Sequence, residues 1–234
     1  MAQRFLVDRR WAASYLAIVL GGCMSGSPGP VVPADAPLAS PGTVRSWIAP
    51  SLLDGHQVLK FRWQIQDDRG AGGGRGSARV AAPDSVRLDV AGPLGSGRGA
   101  AVVVGDSALW TNPPDVIQRL VPSYPLMWAM FGVMRSPPVS AVVRGVADSS
   151  AVQWEWSRGA DTIRYQWRRG GSHLTAEARH AGQTVGRVET AFSGRTVARS
   201  QLVVPAPATK LTITFSESRL SDPFPPDLWL PDQP

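Results

Sequence analysis

Residue types that often carry chemistry are scarce in this chain of 234 residues, which has one cysteine, three histidines and two lysines. A single cysteine excludes an intrachain disulfide. The histidines are scattered, and no second cysteine or cluster of carboxylates accompanies them, so we predict no metal site and no cofactor. No Gly-x-Ser-x-Gly elbow or Cys/His nucleophile pattern is present. We therefore predict that the protein is not an enzyme.

The positive charge comes almost wholly from arginine. The formal net charge is +6, and Lys60 and Lys210 are the only lysines. The arginines are scattered through strand-like stretches without a compact basic run, so we predict no nucleic-acid partner. Arginines on the polar faces of strands keep a protein soluble, and they also attract anionic lipid head groups. The sequence leaves both roles open.

The N-terminal residues have the pattern of an export signal. Arg4, Arg9 and Arg10 precede an almost entirely apolar run at residues 11–20. This run is too short to span a bilayer as a helix, which needs about 20 apolar residues. It has the length of the apolar region of a signal peptide. The sequence Leu-Gly-Gly-Cys, residues 20–23, follows directly.

Residues 20–23 resemble the lipobox of bacterial lipoproteins. The resemblance implies that the signal, residues 1–22, is cleaved before Cys23, which then carries two acyl chains and an acylated amino group. Such a combination anchors a protein stably in a membrane. Met24 follows the cysteine; by resemblance to known sorting signals, the absence of aspartate there implies the outer membrane. The alternatives are an ordinary cleaved signal with an unrelated cysteine and an uncleaved anchor.

Composition predicts the limits of the folded domain. In residues 23–42, Gly, Ser, Pro, Ala and Val predominate and Asp35 is the only charged residue, so we predict a flexible tether. The domain is then expected at residues 43–234. It ends in a proline-rich tail, residues 220–234, which we expect to lie extended along the domain.

Most of the domain alternates between apolar and polar residues with a period of two. Leu59, Phe61, Trp63 and Ile65 alternate with polar residues in one such segment, which is the pattern of a strand with one buried face. Similar segments follow about every ten residues, separated by Gly, Asp or Ser, as in an antiparallel all-β sheet. We predict about ten strands.

Several segments break the alternation. Residues 43–53 have apolar residues near helical spacing and predict a short helix. The glycine-rich residues 70–76 lack the Lys-Ser/Thr ending of a phosphate-binding loop, so we predict a flexible hairpin there. Residues 116–121 predict a helical turn. Residues 126–134 are apolar on every side of any helix drawn through them, so this segment must be buried on more than one side or contact something apolar.

These elements predict a mainly β fold with a few short helices. A sheet of this size with one apolar face must curl, close or fold into two layers. The helical segments are too small to fill the apolar face. We therefore predict a curved, incomplete antiparallel β-barrel, a half-barrel, with a helical lid over an apolar cavity. The alternative is a closed, filled barrel or sandwich in which the same residues are core.

The predicted cavity for acyl chains is lined by apolar residues of the strands and of the helical segment. These residues are Phe61, Trp63, Leu88, Val90, Met127, Trp128, Met130, Phe131, Trp154, Trp156, Tyr165 and Trp167.

Several of these segments together resemble the LolB family of outer-membrane lipoprotein receptors. They are the lipobox cysteine, Val-Arg-Leu-Asp-Val-Ala-Gly-Pro-Leu-Gly at residues 86–95, Leu-Met-Trp-Ala-Met-Phe-Gly-Val at 126–133 and Lys-Leu-Thr-Ile-Thr-Phe at 210–215. The resemblance covers most of residues 57–218, and the tail is also similar to that of the periplasmic carrier LolA. It implies an incomplete antiparallel barrel with helices over an apolar cavity.

The resemblance also implies a role for the loop after the strand at residues 86–90. In that family, the protruding leucine of a Pro-Leu-Gly loop is tied to membrane insertion, and the matching residues are Pro93, Leu94 and Gly95. One exposed leucine gains about 1.5–3 kcal/mol on entering an apolar phase, which biases contact without anchoring the domain. The alternative is that Leu94 caps the local core.

The function implied by the resemblance is the transfer of acylated proteins to the outer membrane. The expected protein is lipid-anchored there, faces the periplasm, accepts acyl chains of lipoproteins or lipids from a periplasmic carrier and places them in the membrane. We expect a monomer. The alternative is a non-enzymatic structural or interaction lipoprotein of the cell envelope with a filled β core.

Overall fold

The computed structural model of the chain describes residues 29–93, 97–113 and 123–231. The predicted signal peptide, Cys23, Leu94, Gly95 and the turn predicted at residues 116–121 lie outside the described residues. Within them, no helix is both long and apolar enough to cross a lipid bilayer.

The described residues form twelve β-strands and two α-helices. The helices are α1 (Pro41–Ile48) and α2 (Tyr124–Met130). The strands are β1 (His56–Asp67), β2 (Gly70–Ala81), β3 (Ser85–Ala91), β4 (Arg98–Val104), β5 (Ser107–Asn112), β6 (Val142–Ala147), β7 (Ala151–Arg158), β8 (Asp161–Arg168), β9 (His173–His180), β10 (Gln183–Ser193), β11 (Thr196–Pro205) and β12 (Ala208–Ser221).

All of these strands belong to one antiparallel sheet. Their order is β5-β4-β3-β2-β1-β12-β11-β10-β9-β8-β7-β6, so neighbours in sequence are neighbours in the sheet except at the centre, where β1 pairs with β12. No described strand joins the edges β5 and β6, and the sheet is open. The predicted mainly β, unclosed antiparallel sheet is confirmed, whereas the count of about ten strands was too low.

The sheet curls so that its two halves reach one short segment. In the strand order, β8 lies eight positions from β4, which is about 40 Å in a flat sheet. The backbone N–H of Arg135 nevertheless donates to Tyr165 Oη on β8 at 3.3 Å, while Arg135 Nε lies 3.4 Å from an oxygen of Asp106 in the β4–β5 turn. One residue therefore contacts both halves of the sheet.

The glycine-rich stretch is a strand, which corrects the prediction of a flexible hairpin. Only Asp68 and Arg69 form the turn, and Asp67 already pairs with Gly70. Hydrogen bonds between strands involve backbone groups alone. The strand β1, with its strong alternation of apolar and polar residues, can therefore pair with the glycine-rich β2, which has few side chains. Gly76 also has a packing role, because a Cβ there would lie 2.5 Å from the ring of Phe61.

Both helices begin with a serine cap. Ser40 Oγ accepts a hydrogen bond from the Thr43 backbone N–H at 3.1 Å at the start of α1, and Ser123 Oγ accepts one from Leu126 at 3.4 Å at the start of α2. Such caps satisfy backbone donors that have no partner within the helix. The short helix predicted within residues 43–53 is confirmed, although α1 begins at Pro41.

Part of the predicted tether packs on the domain instead. Ala36 is 2 % exposed, the Ala39 N–H donates to the Val143 carbonyl at 2.9 Å, and Leu38 forms a bridge with Arg144. The backbone thus gains partners along β6, although its composition lacks the apolar periodicity of an element. The prediction of a flexible tether is wrong for residues 36–42.

The proline-rich tail lies against the outer face of the sheet. The first two residues of the predicted tail belong to β12, and Pro226–Trp229 form one 3₁₀ turn, so the tail is not extended throughout. Phe224 contacts His56 and Trp229, with ring centroids 5.3 and 6.1 Å apart. These contacts fix the end of the chain on β1 and its neighbours.

Candidate functional site

The inward, concave face of the sheet carries the apolar residues and divides into two wings. We call β6–β12 the helix-covered wing, because α1 packs on β6 and β7 and α2 packs on β9, β10 and β11. We call β1–β5 the glycine-rich wing, because β2 presents glycines to this face. The outer face carries most of the charged residues.

Aromatic side chains fill the concave face of the helix-covered wing. Trp154 on β7 and Tyr165 on β8 are fully buried and stack with ring centroids 4.8 Å apart. Trp47 of α1 covers Trp154 at a centroid distance of 6.3 Å. The approach of Trp47 needs Gly145, where a Cβ would lie 2.8 Å from its ring. This wing is therefore a packed core.

The helix α2 is held to this wing by side chains that satisfy its C-terminal carbonyls. Thr190 Oγ1 donates to the Ala129 carbonyl at 2.7 Å, and Ser200 Oγ donates to the Met130 carbonyl at 2.6 Å. Both hydroxyls are buried, so each hydrogen bond also avoids the cost of an unpaired polar group. Trp128 Nε1 donates to the Gly105 carbonyl at 2.8 Å, which connects the helix to the other wing.

A buried tyrosine lies where the two wings meet. Burial raises the pKa of Tyr165 well above its usual value, because the charged phenolate would lose its hydration inside the core. Arg135, whose N–H binds this hydroxyl, also lies 5.4 Å from the Trp128 ring centroid. Tyr165 is thus a neutral core residue with a structural hydrogen bond.

The concave face of the glycine-rich wing has less cover. Trp63, Ile65, Leu88 and Val90 are half-buried there, and we call these four residues the apolar strip. Glycines of β2 pair with Trp63 and Ile65, so no neighbouring side chains stand beside these two residues on that strand. The strip is continuous with the packed core.

An indole donor of the apolar strip has no acceptor. Trp63 Nε1 is buried and has no hydrogen-bond partner among the described residues. A buried donor without an acceptor costs about 1–3 kcal/mol. Trp154 Nε1 and Trp156 Nε1 on the other wing are also unpaired, although they lie within the packed core.

The predicted cavity residues all lie in one cluster on the concave face, but they differ in exposure. Nine are at most 8 % exposed: Phe61, Met127, Trp128, Met130, Phe131, Trp154, Trp156, Tyr165 and Trp167. The other three, Trp63, Leu88 and Val90, are half-buried. The packing beneath α2 therefore favours the filled core that the sequence left open as an alternative.

Two pockets of the described residues lie on the outer face. One is a groove of about 620 Å³ across β1–β5, lined among others by Lys60, Arg75 and Arg98. The other, of about 430 Å³, lies on β7–β10 beside the first described residue, Gly29. Neither is the apolar hollow predicted from the sequence.

The predicted membrane-insertion loop is described only at its base. Pro93 is exposed, and the Gly92 N–H donates to the Gly97 carbonyl at 3.0 Å, which closes the loop. Leu94 and Gly95 lie outside the described residues, and their role stays a prediction.

A residue that the sequence analysis missed, Arg87, holds the tail on the glycine-rich wing. Its side chain is buried and pairs with Asp89 at 3.3 Å. Arg87 Nη1 donates to the carbonyl of Leu228 at 2.8 Å, and Trp110 Nε1 donates to that of Trp229 at 3.0 Å. In the sequence, Arg87 is an ordinary polar-face residue of a strand.

The described part of the chain contains no set of side chains that could bind a metal ion. No three His, Cys, Asp or Glu side chains lie close enough there to hold an ion. The one close His–carboxylate contact, His180 Nδ1 to Asp161 at 2.7 Å, is exposed and joins two strands.

Comparison with known proteins gives a fold. No protein-family model matches the sequence, and no curated protein matches it. The solved structure of a LolA-superfamily protein from Nitrosomonas europaea is similar to it, with a TM-score of 0.57 and 11 % identity, over 83 % of this chain and 99 % of that one.

A second solved structure, a Vibrio parahaemolyticus domain named for outer-membrane lipoprotein sorting, gives a TM-score of 0.53 with 10 % identity, over 79 % of this chain and 93 % of that one. At such identities the likeness concerns the fold alone. The chain has a LolA-like fold.

Proposed function

We propose that the protein is an outer-membrane-anchored lipoprotein that binds the acyl chains of lipoproteins or lipids and delivers them to the outer membrane. No bond is made or broken in this role. The observation that carries the proposal is the apolar strip, a half-buried continuation of the core on the concave face of a LolA-like sheet. Cys23 would supply the anchor, and the loop around Leu94 would contact the membrane.

The strip has properties that suit an acyl chain. It offers half-buried aromatic and aliphatic side chains, and each methylene group removed from water there contributes about 0.8 kcal/mol. In this proposal the chain binds on the glycine-rich wing, and α2 is a fixed wall rather than a lid.

The test is the titration of residues 24–234, which include every described residue, with a fluorescent fatty acid and with a brominated one. Saturable uptake is expected, together with quenching of tryptophan fluorescence that the variant Trp63→Phe reduces. Ile65→Gln and Val90→Gln should each weaken uptake at least tenfold. Leu109→Gln, at a side chain 61 % exposed on β5, is the matched control. Uptake that none of these variants changes would contradict the proposal.

A second candidate function is a structural or interaction lipoprotein of the cell envelope. It is favoured by the packing of α2, whose residues Leu126–Met130 are at most 3 % exposed. The same titration separates the two functions, because a filled scaffold takes up no fatty acid at saturable stoichiometry.

A further inference from the structure

Arginines from four strands form one line across the outer face of the sheet. The register pairs Arg199 with Thr214, Thr214 with Arg62, Arg62 with Arg75, Arg75 with Ala91, and Ala91 with Arg98. Directly paired residues point to the same face, and all four arginines are exposed. We call Arg62, Arg75, Arg98 and Arg199 the arginine row. From β11 to β4 it spans about 24 Å at the usual strand spacing.

The positive charges of the arginine row are not neutralised by ion pairs with described residues. None of its members forms an ion pair with a carboxylate of the described residues. Acids that flank the row on this face are already engaged: Asp89 with Arg79 at 2.7 Å, Glu217 with Lys60 at 2.7 Å, and Glu189 with Arg187 at 2.9 Å. Arg62 and Arg75 lie directly opposite each other, and like charges in that position destabilise a sheet. Folding gains nothing from this arrangement, which indicates a ligand outside the chain.

The dimensions of the row favour a surface over a single ion. One phosphate would engage two adjacent guanidinium groups, whereas this row crosses six strands. The outward groove beside it, lined by Lys60, Arg75, Arg98 and Asn112, extends the positive surface over β1–β5. Because the sheet curls, its outer face is convex: the central pair, Arg62 and Arg75, meets a layer of anionic head groups first, and the ends of the row engage as the domain settles into that layer.

The start of the described chain lies on the same face. A Cβ on Gly29 would lie 2.5 Å from a carboxylate oxygen of Glu177, which projects from the outer face of β9. Cys23 precedes Gly29 by six residues, a reach of at most about 20 Å. If Cys23 is acylated, as the proposed function requires, the anchor holds the outer face close to the membrane.

We infer that the arginine row is a docking surface for a membrane that contains anionic phospholipids. The outer face lies on the head groups. In this arrangement the lipid anchor sets the distance of the domain from the membrane, and the arginine row sets the orientation of the domain.

The test uses residues 24–234, without the acylated cysteine, and vesicles of phosphatidylcholine with or without phosphatidylglycerol. We expect binding only to the anionic vesicles and its loss at high salt, because screening weakens contacts between exposed charges. The triple variant R62Q/R75Q/R98Q should bind about a hundredfold more weakly, since each arginine near an anionic surface contributes about a factor of five. Its melting temperature should not fall, because the variant removes a repulsion.

The matched control is R45Q/R158Q/R195Q, which removes the same charge from exposed sites outside the row. It should keep most of the binding. Equal losses in both triple variants would overturn the inference, because net charge alone would then explain binding, and so would equal binding to both kinds of vesicle. Tighter binding to polyglutamate than to vesicles would also overturn it, in favour of an acidic protein. Fatty-acid uptake, measured in parallel, tests the proposed function separately.

Discussion

The two wings belong to one antiparallel sheet, but their concave faces differ in how much of the apolar surface is covered by other parts of the chain. On the helix-covered wing, Trp154 is fully buried between Tyr165 and Trp47. On the glycine-rich wing, Trp63 pairs with Gly74 and stays half-buried. Apolar strand residues therefore do not by themselves identify a binding surface. The difference between the packed core and the candidate site is whether helices of the chain pack over the apolar strand residues.

The largest effect expected from this comparison is that of removing a tryptophan from each wing. Trp154→Ala should lower the free energy of unfolding by about 3–5 kcal/mol, because a fully buried aromatic side chain leaves a cavity. Trp63→Ala should cost about half as much, because its ring is partly in water and its indole donor has no partner to lose. Urea denaturation of residues 24–234 measures both. Equal costs would mean that the wings do not differ in packing.

The next effect concerns the outer face of the glycine-rich wing. Arg87→Met should lower the free energy of unfolding by about 2–3 kcal/mol, because hydrogen bonds from a charged donor are worth about 1.5–3 kcal/mol. The tail should then become sensitive to protease. The control is Arg79→Met, because Arg79 also pairs with Asp89 but does not reach the tail, and it should cost under about 1 kcal/mol. A tail that stays protected in Arg87→Met would contradict this role.

A smaller effect is expected from adding one methyl group to each wing. Gly145→Ala should cost about 1–2 kcal/mol, because its Cβ would lie 2.6 Å from Trp154 Cβ and force Trp47 to move. Gly72→Ala meets only Ile65 Cγ2 at 3.5 Å, an ordinary contact, and it should be neutral or slightly stabilising. Thermal denaturation of both variants checks this, and a loss of stability in Gly72→Ala would show the glycine-rich wing to be as tightly packed at Gly72 as at Gly74 and Gly76, where a Cβ would clash with the Ala91 carbonyl and the Phe61 ring.

The smallest effect is a dependence on pH at the junction of the wings. Burial raises the pKa of Tyr165, so the unfolded chain releases this proton first, near the usual tyrosine pKa of about 10. The stability is complete below that pH and falls as pH rises towards the folded pKa. Tyr165→Phe should make the loss of stability above about pH 10 shallower, at a cost of about 1 kcal/mol at neutral pH. An unchanged alkaline slope would place the effect elsewhere.

The sequence predicts the helix-covered wing better than the glycine-rich one. Period-two alternation is strong in β7 and β8, where large aromatic residues mark the buried face, and both strands lie where alternation predicts them. Five of residues 70–76 are glycines, and the side chains of Ala71 and Arg75 are too few to show an alternation, so the same rule predicts a loop where the structure has a strand. The sequence of the partner strand β1 could have predicted this strand, because β1 is long and pairs with β2 along its full length.

The parts of the site that escaped prediction depend on residues far apart in the chain. Arg87 is buried only because carbonyls of residues 228 and 230 lie over it. The arginine row exists only in the register that sets β1 between β2 and β12. Whether side chains fill the space beneath α2 depends on how closely this helix approaches the strands. The pattern of hydrophobic residues in the sequence does not determine that distance. Each is a matter of tertiary contact rather than local pattern.

The pairing of β1 with β12 has a consequence for the route by which the protein forms. Residues 56–66 need partners at residues 210–221, so the central ladder cannot assemble until the whole intervening chain, residues 67–209, has emerged. Contacts so distant in sequence slow folding. A chain that crosses a membrane through a translocon, as the predicted export signal would require of this one, must stay unfolded during passage. Late completion of the central ladder would keep such a chain open to transport until nearly all of it had arrived.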